Sequence, residues 1–124
     1  MNVVDSSAWL EYFADGPNAA FFADAIEEVD ELVVPSLTLF EVFKRVAQQR
    51  DEHNAIEALA VMHQGEIVDL SSNLALVAAQ LSLTHKLAMA DSIILATAQA
   101  FDATLWTQDA DFRDFDGVQF QEHR

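Results

Sequence analysis

The chain has 124 residues, 52% hydrophobic and 22% charged, which excludes a disordered chain and suits one compact domain over residues 1–124. Cysteine is absent, excluding a disulfide framework, a thiolate zinc site and a cysteine nucleophile; no apolar run approaches the ~20 residues that span a bilayer, so no membrane partner is expected. Twenty-one Asp and Glu against six Lys and Arg give a formal charge of −15, which disfavours a broad electrostatic grip on phosphate backbones and favours basic partners or divalent cations.

The opening MNVVDSS has neither a basic region nor an apolar signal stretch, so a cytoplasmic location is expected. Asn2 to Val4 reads as a short strand stopped at Asp5, and Ser6 or Ser7 is expected to cap a helix carrying Trp9, Leu10 and Phe13 inward. Gly16-Pro17 breaks that helix, Ala19 to Val29 forms another, and Leu32 to Val34 is a buried strand ending at Pro35. A helix from Ser36 or Thr38 and a second from Ala55 to Met62 lead to a strand at Ile67 to Leu70. The pattern continues with a helix from Leu74 to Leu83, a break at His85 and Lys86, and an apolar helix from Met89 to Phe101. Thr104 to Trp106 is a fourth strand, Asp109 to Phe115 a short helical turn, and Val118 to Phe120 a fifth strand after Gly117. Short strands separated by helices predict an α/β fold with a mainly parallel sheet covered on both faces.

In such sheets ligands bind beyond the carboxyl ends of the strands. Asp5 closes the first strand, and Asp109 follows the fourth, near Thr107 and Asp111. Glu41 and Asp91 interrupt apolar helices, where charge is rare unless paired or bound to metal. Each acid has an ordinary structural explanation: N-capping for Asp5, Asp91 and Asp109, and a helical ion pair with Arg45 for Glu41. Four such coincidences in one small domain are better explained by a shared site. Clustered carboxylates repel one another, and oxygen-preferring Mg²⁺ or Mn²⁺ would stabilise them. Such ions suit phosphodiester hydrolysis by water.

At these residues the chain resembles the PIN-domain ribonucleases, and among them the VapC toxins of VapBC toxin–antitoxin pairs. VVDSSAWLEYF resembles the opening strand with its first acid, SLTLFEVFKRV the helix with its Glu, MADSIILATA the helix with its third acid, and WTQDADF the fourth segment. Their order and spacing run almost end to end. The resemblance implies a three-layer α/β/α domain with about five short strands, and a metal-dependent endoribonuclease neutralised by a cognate VapB-type antitoxin. It assigns catalysis and metal binding to Asp5, Glu41, Asp91 and Asp109: Asp5 and Asp91 as direct ligands, Glu41 and Asp109 for a second ion or for orienting water. Thr107 supports a carboxylate or a water; Ser6 and Ser7 cap the helix behind Asp5; Asp111 caps the following turn, lies exposed or supports the site.

Lys44, Arg45 and Arg50 are the RNA-contact candidates, although a solvated helical face with a Glu41–Arg45 pair accounts equally for them. The acidity also suits an antitoxin with a basic segment, placing an Arg against the carboxylates as the resemblance implies. His53, His63, His85 and His123 lack ligand spacing and read as surface residues, and Lys86 and Arg113 as scattered surface charge. Trp9, Phe13, Phe21, Phe22, Phe40 and Phe43 read as core or as a homodimer or antitoxin surface rather than base-stacking platforms. The chain departs from the family in placing Asp102, not glycine, at the turn before the fourth strand. The alternatives are a non-catalytic PIN-like binding module and a receiver-like Mg²⁺-binding phosphate-signalling domain; the latter leaves Glu41 and Asp91 unexplained and offers only Asp69 as phosphoacceptor.

Overall fold

A computed structural model describes residues 1–124. It places β1 (Asn2–Val4) between β2 (Leu32–Pro35) and β4 (Thr104–Thr107), with β3 (Glu66–Val68) beyond β2 and β5 (Val118–Phe120) beyond β4. Every neighbouring pair is parallel, so the strands are joined by crossovers that cover the sheet's two faces. The crossovers contain α1 (Ser6–Phe13), α2 (Ala19–Glu27), α3 (Ser36–Gln49), α4 (Glu52–Met62), α5 (Ser72–His85) and α6 (Met89–Ala100).

Side-chain alternation along the strands divides the core. Val4 and Val34 face one way and pack with Ala8 and Trp9 of α1, Phe22 and Ile26 of α2, Val42 and Val46 of α3, and Ala58 and Met62 of α4. Val3, Val33 and Leu105 face the other way and meet Ile94, Leu95 and Ala98 of α6, with Leu81 of α5 alongside. The result is a three-layer α/β/α architecture around a five-stranded parallel sheet. Complete burial of Trp9, Phe22 and Phe112 supplies roughly 1.5–3 kcal/mol each for an aromatic of this kind.

Boundaries shift where local chemistry differs from the apolar pattern. The second helix stops at Glu27 and a 3-10 turn, Val29–Glu31, leads into β2. Asp51 caps α4 by accepting from the Asn54 amide at 2.7 Å, so α4 begins at Glu52 rather than Ala55. Strand β3 ends at Val68, leaving Asp69 and Leu70 exposed, whereas β4 continues through Thr107. Lys86 and Asp102, which end α5 and α6, both adopt left-handed backbone conformations, with φ of 57° and 50°. Asp102 thus occupies, with a side chain, a conformation that glycine adopts without steric cost.

Candidate metal centre

Asp5 lies at the carboxyl end of the central strand and is 3% exposed. Its Oδ1 accepts from the Ala8 amide at 3.0 Å and the Ser7 hydroxyl at 2.8 Å, and its Oδ2 accepts from the Thr107 hydroxyl at 2.7 Å. Asp5 is therefore the N-cap of α1; Ser6 and Ser7 are not. Ser7 steadies the capping carboxylate, while Ser6 donates across the site to Glu41 Oε1 at 2.6 Å. Burial pushes the Asp5 carboxyl up to about 6, against the opposing effect of the Thr107, Ala8 and Ser7 bonds, and nearby Asp109 adds repulsion.

Thr107 joins two strand ends. Completely buried, it donates to Asp5 and accepts from the Asp109 amide at 2.9 Å. Parallel pairing of β1 with β4 creates this junction, bringing residues about a hundred positions apart into one hydrogen-bonded unit. Asp109 then accepts from the Asp111 amide at 2.9 Å, turning the chain into the 3-10 segment Ala110–Phe112. Phe112, fully buried in the core, anchors that segment.

Asp91 sits in the first turn of α6, whose N-cap is Ala88, and accepts no hydrogen bond from the protein. The capping explanation for Asp91 is thereby corrected. Burial, then the charges of Asp109, Asp5, Asp111 and Glu41, push its carboxyl up to about 7. One carboxylate oxygen from each of Asp91, Asp109 and Asp111 lies within 4.8 Å of the others. Asp111 is exposed and stands in this carboxylate cluster beside Asp91 and Asp109.

A cleft of about 480 Å³ collects Asp5, Ser6, Ser7, Glu41, Asp91 and Asp109, together with Lys44 and Arg45. Glu41 forms no ion pair with Arg45; the ion pairs of the chain are the N-terminus with Glu31 and His53 with Glu57. Arg50 is not in this cleft but borders a separate groove with Leu10, Phe13 and Val61. Of the two expected placements, core or interaction surface, Phe40 takes the surface: it is 62% exposed and lines the acidic cleft. Its position on α3 next to Glu41 was visible in the sequence, but the direction of its ring was not.

The donors fit a divalent cation. They are all oxygen, they converge with no cationic side chain paired to them, and Asp91 is raised by burial and then by uncompensated negative charge. Asp5 Oδ1 is occupied by two donors, whereas Oδ2 accepts only one and retains a lone pair. The receiver-like alternative is set aside: the flavodoxin-like order 2-1-3-4-5 is absent, the observed order being 3-2-1-4-5.

Comparison with curated proteins found no match. Among solved structures, a toxin–antitoxin complex from Klebsiella pneumoniae is similar at 24% identity, covering 96% of each chain with a TM-score of 0.81. VapC20 from Mycobacterium tuberculosis, a sarcin–ricin loop cleaving toxin, is 17% identical over 96% of this chain and 99% of its own, with a TM-score of 0.78. FitAcB from Neisseria gonorrhoeae is 22% identical over 97% and 96% of the two chains, with a TM-score of 0.72. These likenesses establish a shared fold. The family model for the PIN domain matches residues 3–118, a span that contains all five cleft and turn acids, and the chain belongs to the PIN-domain family.

Proposed function

We propose that this protein is a Mg²⁺- or Mn²⁺-dependent endoribonuclease, the toxin of a toxin–antitoxin pair. The convergence of Asp5, Glu41, Asp91 and Asp109 in one cleft at the carboxyl ends of β1 and β4 carries this reading. Asp91 and Asp109 would hold the ion, joined by Asp111 and by the free lone pair of Asp5 Oδ2. When bound, a divalent ion supplies activation of water and stabilisation of charge on a phosphodiester.

The chain's own groups prepare that chemistry. Thr107 fixes the carboxylate of Asp5 and the backbone of Asp109 in one frame. Ser6 holds one oxygen of Glu41, leaving its other oxygen to orient an attacking water. Lys44 and Arg45, on the same cleft wall, draw the phosphate backbone toward an otherwise acidic surface.

The toxin–antitoxin complex from Klebsiella pneumoniae, which shares this fold, supports a protein partner. A basic antitoxin segment has charge complementary to this chain and would occupy the cleft, excluding RNA. A homodimer and a cytoplasmic location complete the proposal.

Antitoxin-free protein incubated with total cellular RNA should yield discrete fragments in Mg²⁺ or Mn²⁺ and none in EDTA. Asp5→Asn and Asp91→Asn should each lower the rate at least 100-fold, a loss expected when a charged ligand is removed. Full activity of either folded variant would remove that carboxylate from the chemistry, and silence of folded wild-type protein toward a broad RNA panel would favour a non-catalytic binding module.

A further inference from the structure

We infer that Phe40 is a nucleobase platform, with Lys44 and Arg45 forming the adjoining phosphate contacts. This rests on the proposed nuclease reading of the same cleft. A phenylalanine 62% exposed beside an acidic cluster forgoes burial that the neighbouring Val42, completely buried on the same helix, obtains. Lys44 Nζ lies 5.6 Å from the Phe40 ring centroid, within cation–π range. The ammonium therefore lies over the ring itself, and a stacking base takes the ring's exposed remainder or displaces the lysine toward the nucleotide's phosphate.

Helical geometry explains the grouping. Phe40 and Lys44 are four residues apart, as are Glu41 and Arg45, so two adjacent rows of α3 place an aromatic face, a carboxylate and two cations on one cleft wall. Two of the chain's six Lys and Arg are concentrated here, in a molecule of charge −15. Such a combination of stacking surface and cation matches a single-stranded nucleotide. A paired base has its faces covered by neighbours, so duplex RNA cannot use the ring without unstacking.

The test compares a labelled 12-nucleotide mixed-sequence single-stranded RNA with an abasic strand of the same backbone. In an Asp91→Asn background, which removes turnover from the binding measurement, Phe40→Ala should weaken RNA binding about tenfold, within the range of base–aromatic stacking, and affect the abasic strand less than twofold. Phe40→Trp should retain RNA affinity. Removing both Lys44 and Arg45 by alanine substitution should weaken both strands and reduce the salt slope by about 1.4. In otherwise wild-type protein, Phe40→Ala should raise KM for the RNA about tenfold while kcat changes less than threefold.

Equal losses on both strands, or equal affinities for the Ala and Trp variants, would overturn the platform. So would a Phe40→Ala effect confined to self-association or to binding of a basic protein partner. Cleavage by wild type with unchanged Phe40→Ala kinetics would remove the platform and leave the nuclease. Base-dependent binding through Phe40 in a protein that cleaves no RNA would do the reverse.

Discussion

At the scale of single residues, the site combines a carboxylate held firmly with one held loosely. Asp5 accepts three hydrogen bonds, whereas Asp91 accepts none and faces four other acids. Both carboxyls are raised above their unfolded values, so the folded metal-free protein binds more protons than the unfolded chain between about pH 4 and 7. Its stability should therefore fall as pH rises across that window and level off above it. Asp91→Asn should raise the metal-free Tm at pH 8 by a few degrees and change it little at pH 4; a lower Tm at pH 8 would contradict the repulsion. Asp5→Asn should gain less, because an amide NH₂ would meet the Thr107 hydroxyl in place of an accepting oxygen. Thr107→Val should cost about 1–3 kcal/mol by leaving the buried Asp5 oxygen without its donor and the Asp109 amide without its acceptor, and cut activity 10–100-fold, while Thr107→Ser retains most of both. Denaturant titration and initial rates separate these effects. The acids themselves were legible in the sequence because charge at strand ends and inside apolar helices demands compensation. Their roles were less so: the Ser6–Glu41 bond, the unpaired Arg45 and the exposed ring of Phe40 depend on how α1 and α3 face each other.

At the scale of elements, short strands and apolar helix faces were readable from periodicity alone, and the order of alternation survives intact in the fold. Ends were harder to read, since they depend on caps and on backbone conformations that hydropathy does not report. Lys86 shows why: it ends α5 in a left-handed conformation without the glycine that commonly marks such a stop. Lys86→Gly should stabilise the protein by about 1 kcal/mol, measurable as a higher urea midpoint with an unchanged slope; destabilisation would indicate that the lysine side chain contributes more than its backbone costs. The turn after β4 behaves differently, because a side chain in the core holds it. Phe112→Ala should cost about 3–5 kcal/mol and loosen Asp109 and Asp111 together, so cleavage should fall more steeply than the folded fraction.

At the scale of the whole molecule, a charge of −15 and a cleft of acids place the protein under self-repulsion that a bound divalent ion would relieve locally. Millimolar Mn²⁺ should raise Tm above that in NaCl of equal ionic strength, and Asp91→Asn should remove most of the difference. No helix is long and apolar enough to cross a membrane. The sheet order 3-2-1-4-5 places β1 at the centre, so its end, at Asp5, is flanked by both halves of the fold; this arrangement could not be fixed by element order alone. The most direct measurement is end-group mapping of RNA fragments made by purified protein in Mn²⁺. Hydrolysis by water predicts ends free of 2′,3′-cyclic phosphate, with no product in EDTA or from Asp91→Asn. Cyclic phosphate ends, or cleavage that persists without metal, would contradict an active site built on these carboxylates.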